Sequence, residues 1–179
     1  MIPGVLLTGG TSRRMGRDKA TIAIGTETMA ARAARVLAAV CNPVIEVGPG
    51  VSGLPCTRED PPGTGPLAGF LAGCRALAAP GPVFLFACDL PLVDAEMLAA
   101  FVDWPGDGSV LPVVDGAAQY ACARWSLAAI AAGRAAFAGG ERSLRILATV
   151  DAHLVDEEKH ARQLADVDTE DDLRRLGLS

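Results

Sequence analysis

Lysine is nearly absent from this chain of 179 residues: Lys19 and Lys159 stand against 14 arginines. A sequence that otherwise uses arginine keeps a lysine at position 19, where a compact point charge suits a phosphate better than a planar guanidinium. Histidine is as scarce. His153 and His160 have no third ligand candidate nearby at zinc-site spacing, which argues against a zinc centre. The cysteines (Cys41, Cys56, Cys74, Cys88 and Cys122) are odd in number and form no Cys-x-x-Cys pair. They read as reduced thiols of a cytoplasmic protein, not as a disulfide framework. No run of about 20 apolar residues is present, so no membrane span is expected. No charged segment followed by a long apolar run marks a signal peptide. Positive charge is short overall: the formal net charge of −5 argues against a general nucleic-acid binder. Any cationic face for an anionic ligand must be local.

Half of the residues are apolar, enough for one globular domain with a sizeable core over residues 1–179. Short apolar runs alternate with helical patterns, the signal of a mostly parallel α/β sheet. Strands are expected at Val5–Leu7, Pro43–Val47, Pro55–Arg58 and the continuously apolar Val83–Ala87. Helices are expected from Thr28 to Val40, over Leu67–Ala79, and over Ala95–Val102 behind a cap at Asp94. The pattern then changes. Ser109–Val114 and Gln119–Arg124 flank a turn at Asp115-Gly116, which predicts an antiparallel excursion. Helices at Leu127–Ala136 and Ser143–Thr149 follow, then strands at His153–Val155 and Leu164–Val167. Thr169 caps a last helix with Glu170, Asp171 and Asp172 in its first turn, where the helix dipole favours them. The expected architecture is a single-domain, Rossmann-like three-layer α/β/α sandwich. The change of pattern near residue 105 divides this one domain, residues 1–179, into two halves.

The densest chemistry lies in Val5-Leu6-Leu7-Thr8-Gly9-Gly10-Thr11-Ser12-Arg13-Arg14-Met15-Gly16-Arg17-Asp18-Lys19. An apolar strand opens into a loop with glycines and cations. Backbone N–H groups near Gly9, Gly10 and Ser12 can point at phosphate oxygens, and the cationic side chains neutralise them. Five residues separate Gly10 from Gly16, and Lys19 comes three later, so this is not a Walker loop. The Gly-x-Gly-x-x-Gly of dinucleotide binders is missing too, which sets a nicotinamide oxidoreductase aside. An ordinary strand-to-helix loop does not explain so much positive charge in a dozen residues; a nucleoside triphosphate does. Asp89 follows the most apolar strand. Asp94 is the better helix cap, which frees Asp89 to hold a hard cation.

This loop resembles the signature of the molybdenum cofactor guanylyltransferases (MobA), within the nucleotidyltransferases of glycosyltransferase-A type. The resemblance continues in order through Gly65-Pro66-Leu67-Ala68-Gly69, Cys88-Asp89-Leu90-Pro91 and Asp166-Val167-Asp168-Thr169-Glu170-Asp171-Asp172-Leu173, so it spans nearly the whole chain. Gly9-Gly10 and Asp18-Lys19 favour the guanylyl branch over cytidylyl relatives, which often carry Ala-Gly and Pro-Lys there.

The resemblance implies transfer of GMP from GTP to the terminal phosphate of molybdopterin, with release of pyrophosphate and formation of molybdopterin guanine dinucleotide. It implies Mg²⁺ held by Asp89 between nucleotide and acceptor. It implies catalytic roles for Lys19, Asp89, Arg13 and Arg17, and a nucleotide site of Leu7, Gly9, Gly10, Ser12, Lys19, Asp60, Gly65 and Asp89. Asp60 would accept from guanine N1–H and the 2-amino group, with Glu59 as its rival; Val47 stands where relatives carry an Asn. On the acceptor side it points to Pro91, Gln119, Arg142 and Asp168; whether Asp166 or Asp168 gives a second metal contact stays open. Tyr120 replaces the proline that commonly follows the position of Gln119. Implied partners are other cofactor-biosynthesis proteins and recipient molybdoenzymes, with no nucleic acid and no membrane. Two alternatives stay open: a cytidylyltransferase or other nucleotidyltransferase acting on the pterin or another phosphorylated acceptor, and a nucleotide-binding regulator without transfer activity.

Overall fold

The computed structural model describes residues 1–9 and 18–178. Its elements are β1 (Gly4–Leu7), β2 (Ala23–Ile24), β3 (Glu27–Thr28), α1 (Met29–Ala38), β4 (Val44–Val47), β5 (Cys56–Thr57), α2 (Pro66–Leu77), β6 (Val83–Ala87), α3 (Ala95–Val102), β7 (Ser109–Val114), β8 (Ala117–Ala118), β9 (Cys122–Trp125), α4 (Leu127–Ala138), β10 (Ala152–Asp156) and α5 (Glu170–Leu176). Short 3-10 turns occupy Lys19–Thr21, Leu144–Thr149 and Glu158–His160.

The main sheet has the order β10-β7-β9-β6-β1-β4-β5, with β8 attached to β7. β1 pairs in parallel with β4 and β6, β4 with β5, and β7 with β10. β9 is antiparallel to β6 and β7, and β8 to β7. The sheet is therefore mostly parallel with one antiparallel excursion, as the sequence pattern predicts.

Strand alternation builds the layers. Leu6, Phe84 and Phe86 face a cluster shared with α1 and α3. Val5, Val83 and Leu85 face the opposite cluster with α2 and α4. With both faces covered, every residue of β6 is buried, which accounts for its unbroken apolar run. Thr28, Asp94, Ser126 and Thr169 each cap a helix through a side-chain oxygen. At α5 the cap is reciprocal: Thr169 accepts from the Asp172 N–H, and Asp172 accepts from Thr169.

Three local expectations are corrected. Leu164–Val167 forms no strand. Leu164 and Val167 are buried, but their N–H groups donate to His160 and Asp89 carbonyls, so their apolar character reports burial without a ladder. The Asp115-Gly116 turn closes only the short β7–β8 hairpin. The chain then turns at Gln119, and β9 pairs along β6, meeting β7 at Val110↔Arg124. Pro112, which has no N–H to donate, interrupts the longer hairpin. The segment expected as a helix at Ser143–Thr149 is a 3-10 turn capped by Ser143.

Candidate functional site

β1 and β6 lie side by side and end together, with Leu7 level with Ala87. In open α/β sheets, ligands sit beyond such carboxyl ends, where the strand order reverses. Here β4 and β5 extend the sheet on one side of β1, and β6 starts the other. A cleft of about 240 Å³ opens there, lined by Leu7, Thr8, Gly9, Lys19, Cys88 and Asp89 among others. A second cleft of about 730 Å³ adjoins it towards β4, with Val47, Gly48, Glu59 and Gly65 in its wall. Leu7, Gly9, Asp18 and Pro66 line both, so the two form one trough.

Short-range forces set each side chain. Asp18 caps the turn Lys19–Thr21 by accepting from the Ala20 N–H at 3.0 Å, which fixes the backbone carrying Lys19. Lys19 Nζ is ion-paired with Asp168 Oδ1. Asp89 is half-buried just past β6, and its carbonyl accepts from the Val167 N–H at 2.9 Å. The segment 164–168 is thereby tied to the end of β6. Burial lifts the Asp89 carboxyl to about 6 against the opposing charge of Lys19, and Asp166 and Asp168 push it the same way as burial. Asp89 thus feels one ammonium and two further carboxylates, and the negative charges outnumber the positive.

Gly65 caps α2 with φ +106, and a Cβ there would stand 3.3 Å from the Arg142 carbonyl. That carbonyl also accepts from the Leu67 N–H at 3.3 Å, so residue 142 fixes the start of α2 through its backbone. The Arg142 guanidinium lies over the Phe137 ring at 4.4 Å. Pro91 is buried, and its carbonyl accepts from Arg32 Nε at 2.6 Å. Gln119 sits at the turn before β9, its N–H donating to the Pro112 carbonyl. Asp60 does not line the trough; it lines a separate groove with Arg75 and Arg134. Glu59 lines both, and its Oε1 accepts from the Gly63 N–H at 2.9 Å. Of the sequence-derived site, the structure therefore brings Leu7, Gly9, Lys19, Gly65, Asp89 and Asp168 together. It leaves Asp60, Pro91, Gln119 and the Arg142 guanidinium engaged elsewhere or outside the lining. Gly10, Ser12, Arg13 and Arg17 lie outside the described residues.

The family model "MobA-like NTP transferase domain" matches residues 4–165. The chain belongs to this family. It is 30% identical to the Chloroflexus aggregans protein named "Probable molybdenum cofactor guanylyltransferase", over 97% of this chain and 92% of that one. Among solved structures, it resembles molybdopterin-guanine dinucleotide biosynthesis protein A from Archaeoglobus fulgidus, with a TM-score of 0.74 at 20% identity, covering 98% and 96% of the two chains. It also resembles the Rv0371C complex with manganese from Mycobacterium tuberculosis, with a TM-score of 0.63 at 17% identity, covering 98% and 97%.

For a MobA-like transferase the donor set is informative. Among the described residues, no three His, Cys, Asp or Glu side chains form a ready-made metal cage. Asp89 with its neighbouring carboxylates offers hard oxygens only. Such a set fits a divalent cation that takes its other ligands from substrate phosphates and water. No helix among the described residues is long and apolar enough to cross a membrane. One group escaped the sequence reading altogether. Glu46, fully buried on β4, accepts from the Thr8 hydroxyl beside the cleft. Its signal was present as a carboxylate inside Val-Ile-Glu-Val, because a buried charge must find partners.

Proposed function

We propose that this chain is a molybdenum cofactor guanylyltransferase: it transfers GMP from GTP to the terminal phosphate of molybdopterin. The reading is carried by Lys19, Asp89 and Asp168 meeting at one trough, in a chain that matches a protein of that name over nearly its full length. An oxygen of the acceptor phosphate attacks the α-phosphorus of GTP. The bond from that phosphorus to the oxygen bridging to the β-phosphate breaks, and pyrophosphate leaves. The acceptor phosphate is already anionic, so no protein nucleophile is required. Catalysis then rests on positioning and charge neutralisation.

In this reading the smaller cleft takes the phosphates and the larger one the base and ribose. Lys19 leaves Asp168 to neutralise the α-phosphate and the departing pyrophosphate. Asp89 would hold Mg²⁺, with Asp168 as a second contact, and the cation when bound would supply charge neutralisation at the reacting phosphates. Support for a divalent cation comes from the hard carboxylate oxygens of Asp89 and Asp168 and from the manganese complex of a structural relative. Arg13 and Arg17 complete the phosphate loop. Residues after about 105 form the acceptor-binding half. The five unpaired cysteines suit a reducing compartment, and we place the enzyme in the cytoplasm, where it hands its product to molybdoenzymes.

Pyrophosphate release, measured with each of GTP, CTP, ATP and UTP in the presence and absence of molybdopterin, tests this reading. Acceptor-dependent release with GTP is the expected result. Preference for CTP would make the protein a cytidylyltransferase, and GTP binding without release under any condition would make it a regulator.

A further inference from the structure

Glu46 is 0% exposed, in the middle of β4, level with Leu6 of β1 and Cys56 of β5. Its carboxylate is saturated. Oε1 accepts from the Thr8 hydroxyl at 2.5 Å and from the N–H groups of Gly50 at 2.8 Å and Val51 at 3.1 Å. Oε2 accepts from the Ser52 N–H at 2.9 Å and the Ser52 hydroxyl at 2.5 Å. Burial alone would raise this carboxyl. The donors of Ser52, Thr8 and Val51 outweigh burial and hold it below the ordinary carboxylate range, so it is a buried anion.

The donors come from two loops. Thr8 leads out of β1 directly before Gly9, in the wall of the smaller cleft. Gly50, Val51 and Ser52 continue the loop that leaves β4 through Val47, Gly48 and Pro49, which line the larger cleft. The loops touch: a Cβ on Gly48 would stand 2.1 Å from Thr8 Oγ1 and 2.8 Å from the Gly9 nitrogen. An apolar side chain in this strand would have avoided the desolvation of a charge. A carboxylate gives something that packing alone does not, namely fixed directions to five donors on two loops.

We infer that Glu46 is a positioning residue that holds the phosphate side and the base side of the trough in register. This inference rests on the nucleotide reading above. A ligand that spans both sides gains from their alignment, because binding at one side presents the rest of the molecule to the other at high effective concentration. A ligand that fills one side gains nothing from it. Loss of the strut therefore weakens GTP selectively and leaves its fragments alone.

The test compares the wild type with Glu46→Gln and, independently, Thr8→Val and Thr8→Ser, each checked for folding by thermal melting. Glutamine keeps the shape but puts an NH₂ against a backbone N–H in either orientation. Thr8→Val removes one donor and leaves the rest of the cluster, so it decides the matter if Glu46→Gln does not fold. Calorimetry is run with GTP, guanosine and inorganic triphosphate. GTP is expected to bind about tenfold more weakly to Glu46→Gln and Thr8→Val, the worth of one charge-assisted hydrogen bond, and normally to Thr8→Ser. Guanosine is expected to stay within about twofold of the wild type in every variant, and triphosphate in Glu46→Gln, whose side chain lines neither cleft, as no alignment is at stake for them. Unchanged GTP affinity in the folded variants would overturn the inference, as would guanosine weakened as much as GTP, or triphosphate so weakened in Glu46→Gln. Failure of the wild type to bind either GTP or triphosphate is a separate result, and it would remove the nucleotide reading itself.

Discussion

Lys19 and Asp168 are 149 residues apart in the chain and form an ion pair beside the trough. The Lys19 side chain is 19% exposed and the Asp168 side chain 45%. An ion pair this open to water contributes little to stability. It does hold the ammonium in place next to Asp89, where a triphosphate brings far more negative charge than one carboxylate. Lys19→Ala is therefore expected to melt close to the wild type. Its kcat is expected to fall by about 10²–10³, the usual loss when one preorganised charge-stabilising donor is removed. GTP affinity should fall less, because charge on the leaving pyrophosphate grows in the transition state. Single-turnover rates set against calorimetric affinities decide this; equal losses in both would mean that Lys19 only binds.

Asp89 carries a pH prediction. Its carboxyl, lifted to about 6 by burial, must be ionised to hold a cation. At limiting Mg²⁺, kcat/KM is expected to fall as the pH drops through about 6. Saturating Mg²⁺ should move that fall to lower pH, because the cation favours the ionised form. Stability follows the same group with the opposite sense. A carboxyl raised in the folded state binds its proton more tightly there than in the unfolded chain. The ionised form thus costs stability above about 6, and the cost disappears as the pH falls towards the unfolded value of about 3.8. Metal-free Asp89→Asn should accordingly melt higher than the metal-free wild type at pH 8 and match it near pH 4; with Mg²⁺ supplied, its turnover should drop by orders of magnitude. Near-normal turnover of Asp89→Asn at saturating Mg²⁺ would remove Asp89 as the ligand.

Much of this was legible in the chain, and the exceptions have physical causes. The bounds of β6, β7 and α3 follow the sequence because burial on both faces, or a capping aspartate, writes each limit locally. Asp89 could be singled out because it follows the most apolar strand. Leu164–Val167 could not be told from a strand, since burial against the β6 end asks for the same residues as pairing does. Glu59 and Asp60 differ by one position in a Pro/Gly loop, where no periodicity fixes which side chain turns towards the ligand. The strut at Glu46 depends on a hydroxyl 38 residues away. Its partner is set by β1 and β4 lying side by side, which no local pattern states.

The helix that brings Gly65 to the trough is seated through a glycine. A Cβ at Gly73 would stand 2.7 Å from both methyl carbons of Val5 and 3.0 Å from Val47 Cγ2. β-branched valines on a central sheet have little room to move. Gly73→Ala is expected to cost about 1–3 kcal/mol through overpacking. For a domain of this size that corresponds to several degrees in Tm. GTP binding should weaken as well, because α2 must lift from β1 and β4. Gly81→Ala, with nothing within 4 Å of the added carbon, is the control and should leave both properties unchanged. A wild-type Tm for Gly73→Ala would show that the sheet yields at this contact.

Base choice turns on which of two adjacent carboxylates faces the nucleotide. Glu59 lines the larger cleft and is held there by the Gly63 N–H at 2.9 Å, whereas Asp60 lines the groove behind it with Arg75 and Arg134. A carboxylate can accept from both N1–H and the 2-amino group of guanine; cytosine offers only its 4-amino donor. The wrong base then leaves an acceptor buried and unpaired, which is how a polar site discriminates. Glu59→Gln is expected to narrow the GTP-over-CTP ratio in kcat/KM by about tenfold or more, since an amide presents one acceptor where guanine needs two. Asp60→Asn should leave that ratio unchanged. The measurement is acceptor-dependent pyrophosphate release with both triphosphates for the wild type and the two variants. A narrowed ratio in Asp60→Asn alone would return base reading to Asp60 and require the 59–65 loop to turn on binding. A wild-type preference for CTP would overturn the guanylyl assignment itself.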